Sequence, residues 1–141
     1  MRLVDANVLL YAVDATAGRH GEAKAWLDRA LSGGETVVLP WICLLAFVRL
    51  STHPAVYPHP LSTAQAMAVV KSWTRRPNVV FGQPGREHAE AMERLLASMG
   101  TGGNLVNDAH IAALAIAHGA TVVTYDNDFG RFPGVRWETP A

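Results

Sequence analysis

A chain of 141 residues, half of them apolar, is long enough to bury its own core and too apolar to be disordered. Its 12 basic and 12 acidic residues cancel, which excludes a globally basic nucleic-acid binder and leaves any phosphate-facing surface to local clusters. The single cysteine excludes an internal disulfide, and no apolar run approaches the roughly 18 residues of a membrane span, so a cytoplasmic protein without membrane contact is expected.

Residues 3–5 predict a short strand that stops at an acid, followed by a short helix over 8–12. Residues 20–31 set Ala23, Trp26, Leu27, Ala30 and Leu31 at helical spacing, and Gly33-Gly34 ends that helix. A second strand over 36–39 leads into an apolar helix over 40–50 with Pro40 in its first turn. Cys43 lies in that helix, where a buried, unreactive thiol is expected. Pro54, Pro58 and Pro60 mark a loop before a helix over 62–74. A third strand over 78–81 and a helix over 87–99 follow, the latter closed by Gly100 and Gly102-Gly103. The helix over 105–118 stops at Gly119, and strands over 121–125 and 135–138 complete the chain. Strands alternating with helices predict one α/β domain over residues 1–141, with a parallel sheet covered on both faces. Sites in such sheets form beyond the carboxyl ends of the strands, near a switch in strand order.

Four of the six aspartates fall in three stretches that could meet there. Asp5 ends the first strand, with Asn7 two residues on. Asp108 sits in the first turn of the helix over 105–118, and Ile111, Ala112 and Ala115 share its close-packing face. Thr124 and Asp126 alternate along one strand and point the same way, and Asp128 follows in a turn with Phe129 as an apolar anchor. Each acid alone admits a plainer role: Asp5 or Asn7 as a helix cap, Asp108 as a partner of the helix dipole on a helix Asn104 could cap, Asp126 and Asp128 as turn residues. Gathered carboxylates repel one another and persist at neutral pH by holding a cation or a proton. Together they point to a Mg²⁺ site of the kind used in phosphodiester hydrolysis, with oxygen ligands and a water made acidic by the metal. H-E-x-x-H, Cys-x-x-Cys, G-x-x-x-x-G-K-[ST], G-x-G-x-x-G and G-x-S-x-G are all absent, which argues against zinc, nucleotide and acyl-transfer chemistry.

V-D-A-N-V-L-L-Y-A, H-G-E-A-K-A-W-L, L-P-W-I-C-L-L-A-F-V-R-L, N-D-A-H-I-A-A-L-A-I-A-H-G-A and V-V-T-Y-D-N-D-F, in that order, resemble the PIN-domain ribonucleases, and more closely the VapC toxins of bacterial toxin–antitoxin pairs. The resemblance implies a three-layer α/β/α sandwich with a central parallel sheet of about five strands. It implies Mg²⁺- or Mn²⁺-dependent cleavage of RNA, a homodimer, and neutralisation by a cognate VapB-type antitoxin. Asp5, Asp108 and Asp126 match family acids that hold metal, Asp128 a more variable acid of the cluster, and Asn7 and Thr124 the polar residues that orient them. One position departs: where many PIN domains carry a glutamate in the helix after the second strand, Ala46 stands here. That departure favours a single metal with more water ligands; the alternatives are a ligand supplied elsewhere, by Asp14 or Glu22, or a catalytically weakened PIN-like module that binds RNA or antitoxin.

RNA needs local cations. Arg49, three residues after Ala46, is the substrate-contact candidate. Lys71, Arg75 and Arg76 around Trp73 form the densest basic stretch, read as a solvated helix end. Trp26 and Trp41 are expected in the core or a dimer interface, and His20 as a helix-start residue.

Overall fold

The computed structural model describes residues 1–100, 102–103 and 105–141. Five strands form one sheet: β1 (Arg2–Val4), β2 (Val37–Val38), β3 (Val79–Val80), β4 (Thr121–Val123) and β5 (Trp137–Glu138), in the order β3-β2-β1-β4-β5. Every pairing is parallel. The helices are α1 (Ala6–Val13), α2 (His20–Ser32), α3 (Trp41–Ser51), α4 (Thr63–Thr74), α5 (His88–Ala97) and α6 (Leu105–His118), with a 3₁₀ turn over Asn127–Arg131.

Connectivity explains the layers. The chain steps outward from β1 to β2 to β3, then returns across the sheet to β4 and β5. Parallel crossovers are right-handed, so a reversal of direction moves the connecting helices to the opposite face. On one side α1 packs against both α2 and α3, and α3 against α4, while α5 packs against α6. The central strands are apolar on both sides: Leu3, Val4, Val38, Val122 and Val123 are all fully buried. The expected three-layer α/β/α architecture is present, with a sheet of five strands.

β1 keeps its predicted length but begins one residue earlier, and the other four strands are shorter than predicted because residues at their ends leave the ladder to build loops and caps. Asp5 is the N-cap of α1, with its side chain accepting from the Ala6 N–H at 2.7 Å. Helix α6 matches its predicted bounds, and Gly119 ends it with φ +64°, while the Ala120 N–H reaches back to the Ala115 carbonyl at 2.8 Å. Asn104, the expected cap of α6, lies outside the described residues. Ser62 and Gln65 form a reciprocal capping box that starts α4. Trp73 is buried edge-on against Phe47 at 4.8 Å, so the basic stretch around it is a helix end anchored in the core. No helix among the described residues is long and apolar enough to cross a membrane.

Candidate metal centre

The ladder sets the level of the site. Leu3 is paired with Val38 and Val122, Val4 with Val123, and the Asp5 N–H still bonds to the Val123 carbonyl at 3.0 Å. Asp5 therefore stands level with Thr124, at the carboxyl ends of the two adjacent strands from which the crossovers depart in opposite directions. This is the switch-point crevice where α/β proteins place ligands.

Asp5 is held from three sides. Its carboxylate accepts from the Thr124 hydroxyl at 2.8 Å, the Ala6 N–H at 2.7 Å and the Asn7 amide at 3.4 Å. The Asn7 amide also donates to Thr124 Oγ1 at 3.1 Å, and the Asp126 N–H donates to the same oxygen at 3.0 Å. Asn7 Oδ1 accepts from the Tyr125 N–H at 3.2 Å. Asn7 and Thr124 thus tie the ends of β1 and β4 together and fix Asp5 and the Asp126 backbone in one frame. Burial pushes the Asp5 carboxyl above its ordinary range, the hydrogen bonds from Thr124 and Ala6 oppose that, and Asp126 adds to it.

Asp108 enters from the opposite helix layer. One carboxylate oxygen each from Asp108, Asp126 and Asp128 lies within 4.8 Å of the others, an arrangement able to hold a cation. Asp126 Oδ1 accepts from the Asp128 N–H at 2.9 Å, which turns the chain so that both acids face one space. Phe129, fully buried, pins that turn. The Asp108 carboxyl is pushed up to about 6, first by burial and then by Asp126, Asp5 and Asp128. Its environment resists the bare charge, which a divalent ion would stabilise. Asp5 stands behind the closest trio rather than within it, on the buried side, while Asp128 is exposed and loosely paired with Arg131 at 3.8 Å.

Ala46 lies one turn beyond Cys43 on α3, hence on the same face. The buried Cys43 thiol is raised well above its usual value, by burial and then by Asp5, so this face looks toward the acids. Neither candidate replacement for the missing glutamate joins the acids: Glu22 accepts from the Tyr125 hydroxyl at 2.9 Å and Asp14 from the Thr16 hydroxyl at 2.6 Å. Arg49 is exposed two turns along α3 from the strand ends, with no ion pair among the described residues. Trp41 is 45% exposed and stacks on Phe81 at 6.0 Å, so it is not a core residue, and Trp26 is half-buried at the opposite end of the sheet. His20 begins α2 and its Nδ1 lies 2.9 Å from the Tyr11 carbonyl, as a structural residue.

Tyr125 escapes the sequence pattern because it lies past the end of β4, where no two-residue alternation assigns its side chain a face. Its backbone nevertheless locks Asn7, across 118 positions of sequence. Thr124→Val tests this frame. The isostere leaves the Asp126 N–H and the Asn7 amide short of a partner, and unfolding free energy by urea titration is expected to fall by roughly 1–3 kcal/mol. An unchanged midpoint would show that the hydroxyl ties nothing together.

A family model described as PIN domain matches residues 2–135. Ribonuclease VapC37 of Mycobacterium tuberculosis is 51% identical over 140 residues, covering 99% of this chain and 97% of its own length. Ribonuclease VapC33 of the same organism is 35% identical over 140 residues, covering 99% and 98%. Among solved structures, VapBC-1 from nontypeable Haemophilus influenzae superposes with a TM-score of 0.70 at 17% identity, over 98% of this chain and 96% of that one. Mycobacterium tuberculosis VapC20, described as a sarcin–ricin loop cleaving toxin, gives 0.66 at 22% identity, over 96% and 99%. The structural likenesses speak for the fold, and the sequence matches span nearly the whole chain. The chain belongs to the PIN-domain family and, within it, to the VapC ribonucleases.

Proposed function

We propose that this protein is a Mg²⁺-dependent endoribonuclease acting in the cytoplasm, as a single PIN-like domain, as the toxin of a VapBC-type pair. The observation that carries the mechanism is the trio of carboxylates within 4.8 Å, one of them with its carboxyl pKa pushed up to about 6 by burial and by its neighbours. Asp108, Asp126 and Asp128 are the residues that would hold the ion, with Asp5 as the buried acid behind them. A bound divalent ion supplies an acidified water and offsets phosphate charge, and Mn²⁺ satisfies the same oxygen donors. The chain's own contribution is placement. Thr124 and Asn7 fix Asp5, the Asp126 carboxylate accepts from the Asp128 N–H and sets that turn, and α6 delivers Asp108 from the other layer. Ala46 supports one ion rather than two, since no described acid replaces the glutamate beside the trio.

The partner reading rests on the VapC relatives: a VapB-type antitoxin encoded beside the gene, and a homodimer as the working assembly. Purified protein should cleave cellular RNA with Mg²⁺ and stop with chelator. Mn²⁺ titration by calorimetry should saturate near one ion per chain, and co-expression with the neighbouring gene product should silence cleavage. RNA bound but never cut would favour the non-catalytic module that Ala46 allows; cleavage that persists in chelator would remove the metal from the mechanism.

A further inference from the structure

A cluster of four carboxylates, even with one divalent ion, leaves excess negative charge where a polyanion must lie. The RNA strand therefore needs cations close by. The densest basic stretch does not supply them: Arg75 and Arg76 close α4 and lead into the amino end of β3, the far end of the sheet from the acids. Arg2 and Arg29 are also at that far end, where they line one pocket with Glu35 and Glu138. Arg131 is paired with Asp128.

Arg19 is different. Its guanidinium carbon sits 4.3 Å over the ring of Tyr125, the residue between Thr124 and Asp126. The ring is fixed by its hydroxyl donating to Glu22 at 2.9 Å and by Tyr11, edge-on at 5.4 Å and 67°. Its backbone N–H is bonded to Asn7, which also donates to Asp5. Arg19 is exposed, and among the described residues its side chain makes no ion pair or hydrogen bond. A guanidinium stacked on an aromatic ring keeps its donor edge free and loses little freedom when it binds a phosphate oxygen.

We propose that Arg19, carried on the face of Tyr125, contacts a backbone phosphate of the RNA strand that crosses the acidic cluster. This deepens the ribonuclease reading and rests on it. Arg19 holds the strand and takes no part in bond making, so the interaction is the same before and during cleavage and its loss appears in KM rather than kcat.

The test uses the full chain with Mg²⁺, a mixed-sequence single-stranded RNA for binding by fluorescence anisotropy, and total cellular RNA for cleavage. Arg19→Ala should weaken binding and raise KM about five- to tenfold with kcat little changed, and lower the salt slope of log affinity by about 0.7 between roughly 50 and 200 mM salt. Arg19→Lys should recover the salt slope and part of the affinity. Tyr125→Leu should resemble Arg19→Ala, while Tyr125→Phe, which keeps the ring, should fall between it and the wild type. Arg29→Ala removes the same charge at the far end of the sheet and should leave KM unchanged. Equal losses in Arg29→Ala and Arg19→Ala, or an unaltered salt slope in Arg19→Ala, would overturn the assignment while leaving the ribonuclease intact. Loss of antitoxin affinity with RNA binding unchanged would also overturn it, in favour of a protein contact. A wild-type chain that binds RNA without cutting it would sink the ribonuclease reading, and the binding arm would still decide Arg19.

Discussion

Asp108→Asn is expected to lower RNA cleavage by about 10²–10³-fold and at the same time to make the metal-free protein more stable. The two effects share one cause. The Asp108 carboxyl titrates near 6 in the folded chain against 3.8 for an unperturbed group, because it is half-buried and faces Asp126, Asp5 and Asp128. Because the group is half exposed, solvent screening leaves ionisation in the fold costing roughly 1–2 kcal/mol more than in the unfolded chain. An amide of the same shape carries no such charge, although it is desolvated too, so a gain of roughly 1 kcal/mol is expected, or about 4 °C in Tm. The sign with pH follows from a raised folded-state value. Its contribution is fully present below about pH 4, where both states are protonated, and is lost as pH rises through 6. Metal-free wild type should therefore lose stability between about pH 4 and 6 relative to Asp108→Asn, and the gap should be level above about pH 7. Added Mg²⁺ reverses the comparison, since it stabilises the ionised acid and should raise the wild-type Tm but not that of the variant. Thermal scans across pH, with chelator and with Mg²⁺, measure all of this. A variant less stable than wild type in chelator would show that Asp108 supports the fold instead of straining it.

The difference between legible and illegible parts is one of range. Helix α6 could be bounded from its residues because Gly119 and its small apolar face act within a few positions. The parallel α/β order followed from alternation alone. The meeting of Asp108, Asp126 and Asp128 could be anticipated because strand ends and a helix start converge in such folds. What could not be read is how unlike the acids are. Asp5 looked equivalent to the others from its strand-end position, yet it is buried and hydrogen-bonded through Thr124, 119 positions away. Arg49 drew notice through its spacing from Ala46, while Arg19, in an ordinary helix-start context, gained its position only through Tyr125, itself tied to Glu22 across 103 positions. Contacts of that range have no periodic trace in the chain. Trp41 is not a core residue although its apolar neighbours on α3 suggest a buried face, because it is the helix's first residue and stands beyond the packed layer.

That inequality among the acids makes the second large effect opposite in sign for stability. Asp5→Ala should abolish detectable cleavage, by about 10³-fold or more, and should destabilise the metal-free protein where Asp108→Asn stabilises it. Asp5 is also buried and also raised, but three hydrogen bonds, one of them the cap of α1, anchor it in the fold, and those from Thr124 and Ala6 oppose its desolvation. Removing the carboxylate strips the cap from α1, strands the buried Thr124 hydroxyl proton and loosens Asn7, which holds the end of β4 through the Tyr125 N–H. A lost cap and an unpaired buried donor together cost roughly 1–3 kcal/mol, more than relief of the charge returns. Asp5→Asn, which keeps an acceptor for the Ala6 N–H, should lie between Ala and wild type in stability while cleaving no better than Ala. The activity loss alone cannot separate a ligand from a scaffold, so the pair of stability signs is the informative measurement, taken by urea titration in chelator. If Asp5→Ala proved stabilising, Asp5 would be a fourth member of the repelling cluster and the frame built by Asn7 and Thr124 would hold without it. If instead it unfolds more easily and also fails to bind Mn²⁺ although Asp108, Asp126 and Asp128 remain, then the trio's geometry depends on the buried acid behind it, and the ends of β1 and β4 act as one unit.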